Sequence, residues 1–191
     1  MNKIIGILGM QGAIAEHQEI LMQILHTKTR IVKTAKDLDC IDGLILPGGE
    51  STAIGKLLDY FSLKEILQQK IISGLPVFGT CAGLILLAKN IENQTNTHLA
   101  TMDITVKRNG YGSQLDSFST NLLIPTIDKN MPIPLVFIRA PYITKTGKDV
   151  QILATLDNKI IAARQKNMLV SSFHPELTND LRFHQYFLSM I

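Results

Sequence analysis

The stretch Gly79-Thr80-Cys81-Ala82-Gly83 sets one cysteine between two glycines, each two residues away. A short apolar run opened by Pro76 precedes it, and the apolar, helix-forming run Leu84 to Ala88 follows. A nucleophile at a sharp strand-to-helix turn needs small neighbours two residues before and after, the steric logic of the G-x-S-x-G elbow, here with sulfur. Such a turn puts the thiol at a helix N-terminus, where partial positive charge favours the thiolate. It also aims the Ala82 N–H at an oxyanion forming on a substrate carbon that the sulfur attacks. The same five residues also suit a buried cysteine in a glycine-rich turn, so the motif alone does not decide for catalysis.

A thiolate nucleophile calls for a histidine, and the histidine for a group that fixes its tautomer. His17 and His26 fall on the first helical pattern, His98 lies in the polar loop "NQTNTHLA", and His184 sits on the closing helix, where a solvated role is expected. All four read as surface or hydrogen-bonded core residues. His174 differs, because "SSFHPE" follows the strand-like "NMLVS" and brings Glu176 two residues on. Residues i and i+2 of an extended segment share a side, and Pro175 biases His174 towards extended geometry. The Glu176 carboxylate can then hold one imidazole nitrogen protonated and leave the other to face Cys81. With no HxxH or HExxH helix, a metal site is disfavoured.

Acyl transfer from an amide passes through a tetrahedral oxyanion, and a second N–H has to join that of Ala82. The "PGG" turn supplies one at Gly48–Gly49 with no side chain in the way, although it also reads as a turn that merely ends a strand.

These residues need a frame. "KIIGILG" reads as a buried strand, "AIAEHQEILMQIL" as a helix, "TRIVKTA" and "IDGLILPGG" as further strands, "STAIGKLLDYF" and "LKEILQQKII" as helices, and "PVFG" as the strand before the elbow. Short apolar strands alternating with helices predict a mostly parallel α/β sheet covered on both faces. Both glycine-rich turns fall at strand ends, where such sheets bind ligands. From Thr101 the pattern is strand-rich: "MDITVKR", "FSTNLLIPTI", "PLVFIRA", then "VQILATLDNKIIAARQKNMLVSSFHPE" with a hairpin at "LDNK". A helix, "NDLRFHQYFLSMI", closes the chain.

The 191 residues fit one domain, 1–191, that buries roughly 70% of its extended surface. There is no run of 18 apolar residues, and the glycine-broken N-terminus reads as a first strand rather than a signal peptide. The net charge of +3 comes from scattered Lys and Arg, which argues against nucleic-acid binding. Two cysteines make no disulfide framework, so a reducing cytoplasm is the expected setting and Cys40 a buried structural thiol. A non-glutaminase redox sensor or chaperone with an elbow cysteine is a rival, against which the late His-Pro-Glu speaks. An inactive scaffolding subunit is another, against which the intact Cys, His and Glu speak.

Taken together, "GILGMQGAIAEH", "DGLILPGGEST", "PVFGTCAGLILLAK", "RNGYGSQLDSF", "VFIRAP" and "SFHPELTND" resemble the class I, triad-type glutamine amidotransferases from end to end. Within them the resemblance is closer to the glutaminase subunits of pyridoxal 5′-phosphate synthases than to those serving other synthases, such as imidazole glycerol phosphate synthase. The resemblance implies a three-layer, flavodoxin-like fold and hydrolysis of glutamine to glutamate and ammonia, with no cofactor. It implies Cys81 as nucleophile, His174 as general base and acid, and Glu176 as orienting carboxylate. It implies glutamine held by Gly49, Glu50, Ser51, Arg108, Ile138 and Arg139; the guanidinium forks of Arg108 and Arg139 suit its carboxylate and Glu50 its ammonium, although from the residues alone either arginine equally reads as an exposed strand residue and Glu50 as an exposed turn. It also implies a partner synthase subunit, a (β/α)8 barrel, that receives the ammonia and makes the cofactor. Ser113 stands where many members carry Arg.

Overall fold

The computed structural model describes residues 2–110 and 117–191. Its first half alternates as the pattern predicts: β1 (Lys3–Leu8), α1 (Ile14–Met22), β2 (Thr27–Val32), a 3-10 turn (Ala35–Cys40), β3 (Gly43–Leu46), α2 (Ser51–Tyr60), α3 (Lys64–Ile72), β4 (Val77–Thr80) and α4 (Ala82–Leu87). The second half holds β5 (Ala88–Ile91), β6 (Met102–Lys107), β7 (Ser117–Leu122), β8 (Ile133–Ile138), β9 (Tyr142–Thr146), β10 (Gln151–Leu156), β11 (Lys159–Gln165), β12 (Met168–Ser171), a 3-10 turn (Pro175–Leu177) and α5 (Arg182–Leu188).

Nine strands run in the order β2-β1-β3-β4-β12-β11-β9-β6-β5, with β10 paired to β11. The block from β2 to β12 is parallel throughout, because the crossovers carry helices. Side chains alternate across it. Leu44, Leu46, Val77 and Val170 pack with α2, α3 and α4 on one face. Ile5, Ile7, Ile45, Phe78 and Leu169 pack with α1 and α5 on the other. Each fully buried Leu, Ile or Phe contributes roughly 1.5–3 kcal/mol, which fixes the register of both layers.

Three differences from the sequence reading stand out. The apolar run after Cys81 is helical only to Leu87, and Ala88–Ile91 becomes β5, parallel to β6. An all-buried run carries no periodicity to mark that change. Strands β7 and β8 form a separate two-stranded sheet, whose Ile133, Leu135 and Phe137 cover the α5 face. Cys40 ends its 3-10 turn exposed, not buried. The expected hairpin at "LDNK" is present: Asp157 and Asn158 both have positive φ, 49° and 60°, the two-residue turn whose twist matches β10–β11. No helix among the described residues is long and apolar enough to cross a membrane. Ser113, with the rest of the 111–116 part of "RNGYGSQLDSF", lies outside the described residues.

Candidate active site

Three adjacent parallel strands end at one edge of the sheet. Strand β3 runs into Pro47-Gly48-Gly49, β4 into Cys81, and β12 into Ser172-Phe173-His174. The pairing Leu46↔Gly79 and Ser171↔Thr80 aligns their carboxyl ends, so the three turns meet.

Cys81 takes φ 48°, ψ −95°, a backbone that costs a side-chain-bearing residue of order 1–3 kcal/mol. Packing holds it there. A Cβ on Gly79 would stand 2.6 Å from the carbonyl carbon of Gly83, and one on Gly83 would stand 2.1 Å from the Leu46 carbonyl oxygen. The glycines two before and two after the cysteine are therefore a steric necessity. Ala82 is the first residue of α4, so its N–H has no partner inside the helix.

His174 faces Cys81 across the floor of one cleft. Its Nδ1 lies 2.7 Å from Glu176 Oε1. Burial alone would lower the His174 pKa, but the neighbouring Cys81 and the bond and negative charge of Glu176 raise it to about 10. Burial would likewise raise Glu176, whereas His17 and the bond to His174 hold it below its usual value. The arrangement is an imidazolium clamped between a sulfur and a buried carboxylate. It is built to carry a proton at the sulfur's side. Pro175 and Glu176 form a 3-10 turn, so the carboxylate reaches the ring through a tight turn rather than along an extended strand.

A cleft of about 650 Å3 opens over the sulfur. Its walls include Cys81, Ala82, His174, Gly48, Gly49, Glu50, Ser51, Arg108, Ile138 and Arg139. Every site residue named from the sequence lines it except Glu176, which is buried behind His174. Gly48 packs on the imidazole: a Cβ there would stand 2.3 Å from His174 Cε1. The Gly48 carbonyl accepts from the Ala13 N–H at 2.9 Å, which ties the Pro47-Gly48-Gly49 turn to the start of α1.

Part of the charged rim is already paired. Glu50 is the N-cap of α2 and accepts from Thr52 N–H at 3.0 Å and Ala53 N–H at 2.7 Å. Arg108 donates to Glu50 Oε1 at 2.9 Å and to Thr52 Oγ1 at 3.1 Å. Burial would raise the Glu50 carboxyl, but these N–H donors and Arg108 hold it down. Arg139 lies exposed just beyond β8, not within a strand, with φ 44° and no ion pair among the described residues.

Sequence reasoning missed three contributors. Gln11 lines the cleft and its Oε1 accepts from the Glu50 N–H at 2.8 Å. His17 is fully buried behind the site, touching Thr80 through Nε2 at 3.2 Å. His184, expected in solvent, is also fully buried, and its Nε2 meets His17 Nδ1 at 3.0 Å. The signal was present for both: His17 shares the inward face of α1 with Ile20 and Leu21, and His184 that of α5 with Leu188. His26 lies beyond the end of α1 with positive φ, and His98 is half-buried against Gly55.

Residues 7–191 match the SNO glutamine amidotransferase family. The chain belongs to that family. A relative in Carboxydothermus hydrogenoformans, named pyridoxal 5′-phosphate synthase subunit PdxT, is 54% identical over 187 residues, 98% of this chain and 97% of its own length. Another of the same name in Ruminiclostridium cellulolyticum is 53% identical over 189 residues, covering 99% of this chain and 100% of the relative. A crystal structure described as a glutamine amidotransferase superposes with TM-score 0.91 at 39% identity, covering 97% of each chain. The Thermotoga maritima PurLQS structure, at TM-score 0.73 and 15% identity over 99% of both chains, shares the fold. As a family member, the chain has the expected α/β architecture with its mostly parallel central sheet.

Proposed function

We propose that this chain hydrolyses L-glutamine to L-glutamate and ammonia through a Cys81 thioester, and hands the ammonia to the synthase subunit of a pyridoxal 5′-phosphate synthase. The observation that carries the chemistry is the pairing of Cys81 with His174 in one cleft, with Glu176 bonded to the imidazole from behind. The relatives' names and the family match support the substrate and the destination.

The Cys81 thiolate attacks the side-chain amide carbon, and negative charge develops on the amide oxygen. The Ala82 N–H and an N–H of the Gly48–Gly49 turn receive it; one such donor is worth about 10²–10³ in rate. His174 gives its proton to the nitrogen as the C–N bond breaks, so ammonia leaves and a glutamyl thioester remains. Water then gives a proton to His174 and attacks the thioester carbon; the C–S bond breaks and the thiolate returns. Glu176 keeps Nδ1 protonated throughout, so that Nε2 does the exchange.

Arg108 and Arg139 take the substrate α-carboxylate and Glu50 the α-ammonium, with Gly49, Ser51 and Ile138 around the chain. The partner is a (β/α)8-barrel subunit in a hetero-oligomer, acting beside this chain in the cytoplasm. The Gly48–Gly49 peptide completes the oxyanion hole when that partner docks. Turning it breaks the bond from Ala13, a cost of about 1 kcal/mol that docking offsets.

Mixing the chain with the synthase subunit and glutamine tests the reading. Glutamate release and the cofactor's absorbance should both appear, and both should vanish with Cys81→Ala. Glutamate release unchanged in Cys81→Ala would refute it.

A further inference from the structure

Glu176 is held by less than its role demands. Its side chain is fully buried, Oε1 bonds to His174, and Oε2 meets no hydrogen-bond partner among the described residues. A carboxylate tied at one oxygen can still turn about its last torsion, which is broad and nearly two-fold. A further group beside it is His17, whose Nε2 stands 3.6 Å from the same Oε1 while bonding to Thr80.

We propose that His17 is a positioning residue for the Glu176 carboxylate, presenting Nε2–H to it, and that the abutting ring of His184 sets that tautomer. The inference rests on the triad reading of Cys81, His174 and Glu176.

The protons can be assigned by elimination. An ionised carboxylate only accepts, so it favours an N–H on His17 Nε2 and is repelled by a lone pair there. At 3.6 Å the attraction is charge to dipole rather than a hydrogen bond. With its one proton on Nε2, neutral His17 must accept at Nδ1, and the group 3.0 Å away is His184 Nε2. His184 therefore carries its proton on Nε2 and donates. Its Nδ1, which meets no hydrogen-bonding atom of the described residues, is then a lone pair. The opposite assignment turns a lone pair towards the carboxylate and buries an unpaired N–H on His184. An orphaned N–H is the rarer of the two faults.

Burial favours the neutral form of both rings. Burial lowers the His17 pKa, opposed by Glu176 and Glu16 and reinforced by His174. Burial and His17 bring His184 to about 3. Neutrality is useful here, because an imidazolium at His17 would compete with His174 for the carboxylate. A neutral Nε2–H steadies Oε1 without taking its negative charge. Thr80 precedes Cys81, so the bond from His17 also anchors the ring to the strand that carries the nucleophile.

The test begins with the unmodified chain. Imidazole ¹⁵N NMR of histidine-labelled protein should show His17 and His184 both as the Nε2–H tautomer, with neither titrating between about pH 6 and 8. An Nδ1–H tautomer or an imidazolium at His17 would overturn the proposal whatever happens to activity. Two variants then separate donor from bulk. The side-chain amide of His17→Gln can replace the Nε2–H donor, and His17→Leu keeps volume alone. Partners that orient a working histidine are typically worth about 10- to 100-fold, and that is the kcat loss expected for His17→Leu in the complex with the synthase subunit. His17→Gln should stay within about threefold of the parent, with KM unchanged in both. His174 should titrate lower in folded His17→Leu and as in the parent in His17→Gln. Equal losses in the two variants, or no loss in either, would refute the role. Because the tautomers are read without turnover, failure of the glutaminase reading and failure of this one are told apart.

Discussion

The backbone N–H of Cys81 donates to the carbonyl of Ser171 at 2.8 Å, although half the chain separates them. This bond is the last rung of the parallel β4–β12 ladder. Three residues beyond it, His174 arrives beside the sulfur. Main-chain pairing, not side-chain recognition, sets the distance between nucleophile and base.

The elbow should therefore be intolerant of any side chain on the glycines that flank it. Gly83→Ala drives a methyl group into the Leu46 carbonyl, and overpacking of this kind costs typically 1–3 kcal/mol. Urea unfolding should register the loss, and glutaminase activity should fall further than stability does, because the strained Cys81 backbone is what relaxes.

Glu176→Gln should leave the fold intact and cut kcat by up to about 10⁴, as expected when the residue fixing a catalytic tautomer is neutralised. Steady-state rates with the synthase subunit present will show it. A kcat within twofold of the parent, or about 0.4 kcal/mol, would remove Glu176 from the mechanism.

Arg108 now bonds to Glu50, and in the proposed complex it shares itself with the substrate carboxylate. A charge-assisted hydrogen bond is worth about 1.5–3 kcal/mol, so Arg108→Met should raise KM roughly 10- to 100-fold. The kcat should stay close to the parent value, since this contact is made equally in ground and transition states. Initial-rate measurements over a glutamine series separate the two parameters.

Stability should fall in mild acid. His184 is held neutral with a pKa of about 3, against about 6.5 when unfolded. Below the higher value the unfolded chain binds a proton that the folded chain refuses. Stability is then lost as pH drops from about 6.5 towards 3, by on the order of 2–3 kcal/mol at pH 4.5. Burial pushes His17 the same way. Urea midpoints at the two ends of that window should differ less in His184→Gln than in the parent.

Activity of the isolated chain should be low and rise on adding the synthase subunit, since the Gly48 carbonyl is held by Ala13 and docking must turn the peptide. Full glutaminase turnover without the partner would discard that step.

Local chemistry wrote much of this protein into its sequence. The strand–helix alternation of residues 3–87, the glycine spacing around Cys81, and the nearness of Glu176 to His174 all follow from neighbours a few residues apart, where periodicity and sterics act directly. The cleft residues legible in the sequence do converge on one site. Tertiary structure alone decided the rest. That β12 enters beside β4 is a choice among strand edges that local pattern does not encode. The end of α4 at Leu87 fell inside an apolar run with no period to read. Glu50 and Arg108 satisfied each other once the 108 segment lay over α2. His17 and His184 lie on helices at opposite ends of the chain, and only their packing on one face of the sheet makes them partners. A buried polar group takes whatever donor or acceptor the fold brings within reach, so its role is set by long-range contact rather than by its neighbours in the chain.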